Sequence, residues 1–423
     1  MPFYRKCIIL LTATTWTVLA QAQQSLTFSQ ALDMVKKNNS DLQYSEEIFK
    51  ASEYNIRSNQ SGYYPQLSAG LGYAQSGTSE DTFSTSSGGA YSSTVSASQN
   101  LFRGFSDSAK VDQARGQSRV AEASLRTTRS QVSYDLKAAY ASAIYARDSI
   151  KISEDIVKRR NDNLRIVQLR FESGRENKGS LLLSQANFKQ AQLDRQKANN
   201  AQETSQADLK KVIGLDTEET VTIGEDIPLR EPTGKEPDFK SIATSTPDRQ
   251  TYEAQVDVSE ASLKNTRSGF FPSLDVSASI GDYGQSFYPN TQDRWALGAT
   301  FTLPLFNGGR DYYATKSSAS QLYAAKSSLA GIDRTLLSTL KKAYTTYVES
   351  VSQLAVNDAF VQAARTRADI ARAKYNNGLM SFEDWDNIET DLITKTKQYL
   401  SSKRDRIVAE AAWERAQGVG ALL

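Results

Sequence analysis

Hydrophobic and polar positions follow two different periods along the chain. Leu67, Ala69, Leu71 and Tyr73 alternate with Ser68, Gly70 and Gly72, and Tyr91, Val95, Ala97 and Leu101 take odd positions while Ser92, Thr94, Ser96 and Ser98 take even ones. Further on, Leu274, Val276, Ala278 and Ile280 alternate with Asp275, Ser277 and Ser279. Trp295, Leu297, Ala299, Phe301, Leu303 and Leu305 likewise alternate with Ala296, Gly298, Thr300 and Thr302. A period of two gives each of these four strands one apolar and one polar face. Strands of about 9–11 residues suit a transmembrane barrel, and the same alternation suits a half-buried sheet.

The strand surroundings favour the barrel. Polar loops at 76–90 and 284–294 join the strands in pairs, and aromatics gather at the opposite ends: Tyr63, Tyr64, Phe102 and Phe105, then Phe270, Phe271 and Phe306. Interfacial aromatic girdles have this placement. Leu67, Leu71, Val95, Leu101, Leu274, Val276, Leu297 and Phe301 are then the expected lipid-facing residues. Four strands cannot close a barrel, so several copies of the chain are needed.

The rest of the chain has a helical period. Leu337, Leu340, Tyr344, Tyr347, Val351 and Leu354 are spaced as a heptad seam, and Ile150, Val157, Leu164 and Phe171 keep a step of seven. No proline occurs between Pro65 and Pro228 or after Pro304, which leaves two very long stretches free to be helical. The predicted helices cover 28–59, 106–172, 180–212, 248–267, 311–377 and 382–417. A helix of about 67 residues spans ~100 Å, wider than any single globular core. A solitary coiled coil satisfies the helical period too, but gives the strands no role.

The pattern is written twice. Ser61-Gly62-Tyr63-Tyr64-Pro65-Gln66-Leu67 returns as Ser268-Gly269-Phe270-Phe271-Pro272-Ser273-Leu274, 207 residues on. Leu101-Phe102-Arg103-Gly104 returns as Leu305-Phe306-Asn307-Gly308, and Arg170-Phe171-Glu172-Ser173-Gly174 as Lys374-Tyr375-Asn376-Asn377-Gly378, both at 204. The division is a first repeat over 23–213, a proline-rich equatorial linker over 214–247 with one strand-like run at 221–223, and a second repeat over 248–423.

Composition narrows the chemistry. The 423 residues include no histidine and one cysteine, with 50 Lys+Arg against 48 Asp+Glu. Histidine triads, His-ligated metals, thiol catalysis and disulfides are all excluded for the mature chain, and no cofactor or metal is expected. The charge balance argues against nucleic acid. Residues 1–22 read as a signal peptide, with Arg5 and Lys6 ahead of an apolar stretch and Ala20-Gln21-Ala22 as the cleavage pattern. Cleavage after Ala22 removes Cys7 and leaves no cysteine for a lipid anchor.

The duplicated order of strand pair, long helix, glycine turn and shorter helix resembles the TolC-like outer-membrane efflux family. The aromatic-aromatic-Pro-x-Leu segments at 63–67 and 270–274, the Leu-Phe-x-Gly strand ends and the basic-aromatic-x-x-Gly turns carry the resemblance. It implies a mostly α chain with transmembrane β, forming a homotrimer: a trimeric α-barrel of long coiled-coil helices continuous with a twelve-stranded β-barrel, four strands per chain, in outer-membrane lipid. It implies a passive exit duct for efflux or type I secretion, reaching into the periplasm, and no enzyme. A periplasmic adaptor protein would meet the tips at Gly174, Arg175, Gly378, Leu379 and Met380, with an inner-membrane pump of RND, ABC or MFS type beyond. The family's constriction maps to Asp384, Asn387 and Tyr375. Asn387 stands where the family often has a second Asp, and Met380 where it has a gating Arg. Arg175, Glu176 and Lys178 also depart from the small or apolar residues common at the first tip. Read from its own surroundings, Asp384 is equally a solvated first-turn residue favoured by the helix macrodipole. A periplasmic coiled-coil adaptor or scaffold is the alternative function.

Overall fold

The computed structural model describes residues 25–80, 84–216, 222–232, 234–284 and 293–422. The expected signal peptide 1–22, its cleavage point and most of the 284–294 loop lie outside the described residues. In chain order the elements are β1 (Ser25–Leu26), α1 (Phe28–Asn38), α2 (Ser40–Gln60), β2 (Gln66–Glu80), β3 (Ser84–Arg103), α3 (Ser106–Glu172), α4 (Lys178–Ile213), β4 (Thr222–Ile223), α5 (Phe239–Ser245), α6 (Pro247–Arg267), β5 (Ser273–Gly284), β6 (Asp293–Thr302), α7 (Arg310–Asn376) and α8 (Phe382–Ala416). The helices α3 and α7 each have 67 residues, about 100 Å of continuous helix. Each pairs with the shorter helix that follows it, so α3–α4 and α7–α8 are two long hairpins, and α8 also packs along α3.

Four departures from the sequence reading have physical causes. The helix expected over 28–59 is broken at Asn39, whose backbone is extended (φ −69°, ψ 120°). Asn39 caps α2 by accepting from Leu42 N at 3.0 Å, and its Nδ2 donates to Val212 O at 2.9 Å. The break stitches α1–α2 to the end of α4, a partner 173 residues away. Residues 76–80 and 84–90 are strand rather than loop: β2 and β3 stay in register out to Glu80 opposite Ser84, because their Ser, Thr and Gly residues include no proline to interrupt a ladder. At the other end, β6 stops at Thr302, short of Leu303 and Leu305, since Pro304 cannot donate to the sheet.

The linker is the fourth departure. It holds α5 as well as the expected strand run, and β4 pairs in parallel with β1. Its Ile227 is buried with Leu26, Val35, Leu136, Tyr140, Leu209, Ile213 and Ile407 in a core at the middle of the helices. Tyr140 Oη lies 2.9 Å from Leu26 O and 3.0 Å from Glu225 O, tying the first strand and the linker to α3. On the other side, Tyr347 donates to Arg230 O at 2.7 Å and Arg406 donates to the same oxygen at 3.0 Å.

The heptad seams are present, with one shift. On α7 a step-of-seven line of Leu340, Tyr347, Leu354, Val361, Ala368 and Tyr375 is buried, whereas Leu337 is exposed. On α3 the line through Ile150, Val157, Leu164 and Phe171 is only half-buried. The buried line lies three residues away, at Ser153, Arg160 and Val167. An arginine can occupy it because α8 supplies its counter-ion.

Candidate functional site

The four long strands form one antiparallel sheet of order β2-β3-β5-β6. Its register sorts the side chains without exception over the central pairs. Ala69, Val95, Ile280 and Trp295 fall on one line across the sheet, as do Leu67, Ala97, Ala278 and Leu297. The opposite face has Gly70, Thr94, Gly281 and Arg294, then Ser68, Ser96, Ser279 and Ala296. Leu67, Leu71, Val95, Leu297 and Phe301 are exposed on the apolar face, with Leu71 88% accessible. Leu274 and Val276 share that face and are partly covered. An exposed apolar face of this extent needs an apolar surrounding. β2 and β6 end the order, so each pairs on one side only in this chain.

Leu101 behaves differently from its alternation. The register shifts between Asn100 and Phe102, so Phe102 rather than Leu101 lies opposite Leu274. This bulge rotates the end of β3 and leads into Gly104 and Phe105, both at positive φ (60° and 70°). A Cβ on Gly104 would lie 2.6 Å from Ser268 O and Phe271 Cβ, so no other residue fits that corner. The second repeat turns from strand to helix through Gly308 and Gly309, again both at positive φ. At the first corner Phe102, Phe105 and Phe271 form an edge-to-face run at 5.2 and 5.8 Å.

At the far end of the hairpins the two glycine turns are the same motif. Gly174 N donates to Phe171 O and Arg175 N to Arg170 O; Gly378 N donates to Tyr375 O and Leu379 N to Lys374 O. These are Schellman closures with glycine in the left-handed region, φ 73° and 76°. Asn177 and Ser381 then cap the returning helices by accepting from Ser180 N and Asp384 N. Arg175 and Leu379 are exposed beyond the turns, while Met380 packs against the apolar cluster beneath.

Tyr375 is the centre of that cluster. It is 1% exposed and stacks on Trp385, ring centroids 4.2 Å apart and planes 14° apart. Its hydroxyl donates to Glu176 Oε2 at 2.8 Å, its carbonyl accepts from Arg170 at 2.6 Å, and the Arg170 guanidinium lies over its ring. Burial, reinforced by the Glu176 carboxylate, pushes the phenol well above the ordinary tyrosine range. Asp384 is exposed in the first turn of α8, where Ser381 Oγ donates to its Oδ2 at 2.7 Å. Asn387 is exposed one turn further on.

Several important residues here were not singled out by the sequence. Asp386 accepts from Arg160 at 2.7 Å and from Asn187, joining α8 to α3 and α4. Glu389, fully buried, takes both arms of the Arg159 guanidinium. That carboxylate raises the Arg159 pKa. The adjacent Arg159 and Arg160 beside the heptad line were the available signal, since charge on a seam requires a partner.

The match to known proteins follows the same architecture. The family model described as "Outer membrane efflux protein" matches residues 31–215 and 240–419. The alkaline protease secretion protein AprF of Pseudomonas aeruginosa is 23% identical over 328 residues, 76% of this chain and 68% of that protein. The outer membrane efflux protein BepC of Brucella suis biovar 1 is 21% identical over 412 residues, 97% of this chain and 89% of that protein. The solved structure of CusC superposes with a TM-score of 0.83 at 17% identity, covering 93% of this chain and 92% of that one.

Proposed function

The chain belongs to the outer membrane efflux protein family, and from that premise we propose that three copies of it close one channel from the outer membrane down into the periplasm. The duct is an outer-membrane exit for an efflux or secretion system, in a family of channel proteins. The observation that carries the trimer is the sheet: four strands, one face apolar along its central lines with Asp282 and Asp293 at its loop end, and a free outer edge on each of β2 and β6 within the chain. Unpaired edges are not tolerated in lipid. Joining β6 of one copy to β2 of the next satisfies both edges, and three copies give a twelve-stranded barrel with its polar face inward.

In this reading Leu67, Leu71, Val95, Leu274, Val276, Leu297 and Phe301 meet lipid, with Leu101 at the bulge near the periplasmic rim. The helices continue the barrel as a tunnel, and the linker forms a belt around its middle. The leader is removed after Ala22. Gly174, Arg175, Gly378, Leu379 and Met380 form the tips that receive a periplasmic adaptor, which links the duct to an inner-membrane pump. Asp384 and Asn387, exposed on α8, line the narrow end, while Tyr375 holds that end by bridging the two hairpins. Movement of cargo is driven by the pump, and the duct itself is passive.

Electron microscopy of single particles extracted by detergent from the membrane fraction tests the assembly. A trimeric hollow tube longer than ~100 Å, the reach of the long helices, is expected. A soluble, solid coiled-coil rod would overturn the reading in favour of an adaptor or scaffold.

A further inference from the structure

The polar face of the sheet is almost free of charge. It carries hydroxyls, amides, glycine and alanine, and among its described side chains only three are charged. Arg294 stands at one end of β6, its guanidinium over the Tyr283 ring. Arg103 and Asp275 stand together at the other end of the sheet. Simple alternation would put Arg103 on the apolar face with Val95 and Ala97. The bulge at Leu101 reverses it, so Arg103 falls opposite Ser273 and next to Asp275. Its guanidinium is 3.5 Å from Asp275 Oδ1, and Asn100 Nδ2 donates to that same oxygen at 2.7 Å.

This pair is poorly placed to stabilise the fold. Both side chains are about half accessible (50% and 43%), and exposed ion pairs contribute little. The electrostatic effect is larger. Asp275 is in register with Thr300, and Gly281 with Arg294, so six residues of β5, ~20 Å at about 3.4 Å each, separate Arg294 from the pair. That exceeds two Debye lengths at physiological salt, so Arg294 contributes little at the pair, whose own charges are the ones on this end of the polar face.

Resting on the reading of this face as the lumen, we propose that Arg103 and Asp275, present once in each copy, form a charge-balanced collar at the inner end of the barrel. The collar lets charged solutes of either sign cross from the helical tunnel into the barrel. Loss of either partner leaves a ring of like charges in a narrow, low-dielectric passage, which focuses the field and selects one sign.

The test uses the full chain in outer-membrane vesicles, with Cys7→Ser as background and Thr300→Cys as a reporter in register with Asp275. Modification rates are measured with a cationic and an anionic methanethiosulfonate reagent of similar size. The cationic-to-anionic rate ratio is expected to rise roughly tenfold with Arg103→Gln and to fall roughly tenfold with Asp275→Asn. It returns to the parent value in the double variant and stays there in Arg103→Lys. Either single variant reads the sign by itself, so poor assembly of one leaves the test intact. A ratio that neither variant moves overturns the collar. Leu297→Cys on the opposite face separates the two readings: if it reacts and Thr300→Cys does not, the faces are reversed and the duct reading falls with the collar. Reactive Thr300→Cys, silent Leu297→Cys and an unmoved ratio overturn the collar alone.

Discussion

Tyr375 on the second hairpin donates its hydroxyl to Glu176 on the first, at 2.8 Å. The same tyrosine stacks on Trp385 and accepts from Arg170, so one side chain joins α7, α8 and the ends of α3 and α4. Tyr375→Phe keeps the stack and removes the link to Glu176. Replacing a hydrogen bond to a charged acceptor costs about 1.5–3 kcal/mol. We expect a small loss in melting temperature and a larger single-channel conductance in planar bilayers. Unchanged conductance would make the bond structural only.

The same residue predicts alkaline behaviour. The phenols of Tyr375 and Tyr347 are both raised by burial, Tyr347 to about 12, with Glu176 and Glu410 respectively adding to the effect. The fold therefore favours the neutral form, and the unfolded chain, ionising near pH 10, releases its protons first. Stability contributed by these groups is complete below about pH 10 and declines as pH rises above it. Melts at pH 8, 10 and 11 should show that decline, and Tyr375→Phe with Tyr347→Phe should flatten it.

Facing in the barrel is checked by charge. Leu297→Arg should block assembly in the outer membrane, because a basic side chain on the lipid face costs about 2–4 kcal/mol at mid-bilayer, while Phe301→Arg, in line with Leu274 and Phe102 toward the rim, should impair it less. Thr300→Arg, on the other face of the same strand, should assemble. Immunoblots for trimers that survive mild detergent distinguish the outcomes, and equal assembly of all three variants would refute the facing.

The tip glycines are needed for conformation rather than space. At Gly378 the nearest atom a Cβ would meet is Arg170 Nη2, at 3.9 Å. Gly378→Ala should therefore cost only about 1 kcal/mol, from its left-handed backbone. Leu379→Asp, on an exposed side chain, should leave trimers intact and abolish efflux measured by dye retention. Dissociated trimers would make Leu379 a structural residue.

Breaking the buried carboxylate pairing is the severe change. Glu389→Ala removes the buried partner of Arg159, whose partly accessible guanidinium keeps Asp369 at 3.8 Å, a loss of about 1.5–3 kcal/mol, seen as a fall in denaturation midpoint. Asp384→Ala, by contrast, keeps the Ser381 cap and removes only an exposed first-turn carboxylate, which costs about 0.3–1 kcal/mol. Its expected signature is weaker block of the channel by divalent cations, and unaltered block would place Asp384 away from the constriction.

Much of this molecule is legible in its sequence because the responsible physics is local or periodic. Leu297 and Thr300 declare their opposite faces through a period of two. Missing prolines and the Arg170–Gly174 and Lys374–Gly378 turns mark where the long helices end, and α3 begins and ends where its pattern does. Duplication of each landmark shows the two hairpins to be one motif used twice. What only tertiary structure decided is the fate of residues whose partners are distant. The break at Asn39 depends on Val212, the burial of Arg160 on Asp386 226 residues away, and the position of Arg103 on a one-residue bulge. A single inserted residue reverses every later side chain on a strand, and no alternation of apolar and polar letters reveals it. Periodicity states which face a residue presents while the period holds; a change of register or a remote counter-charge is set by the packing of elements that meet only once the chain has folded.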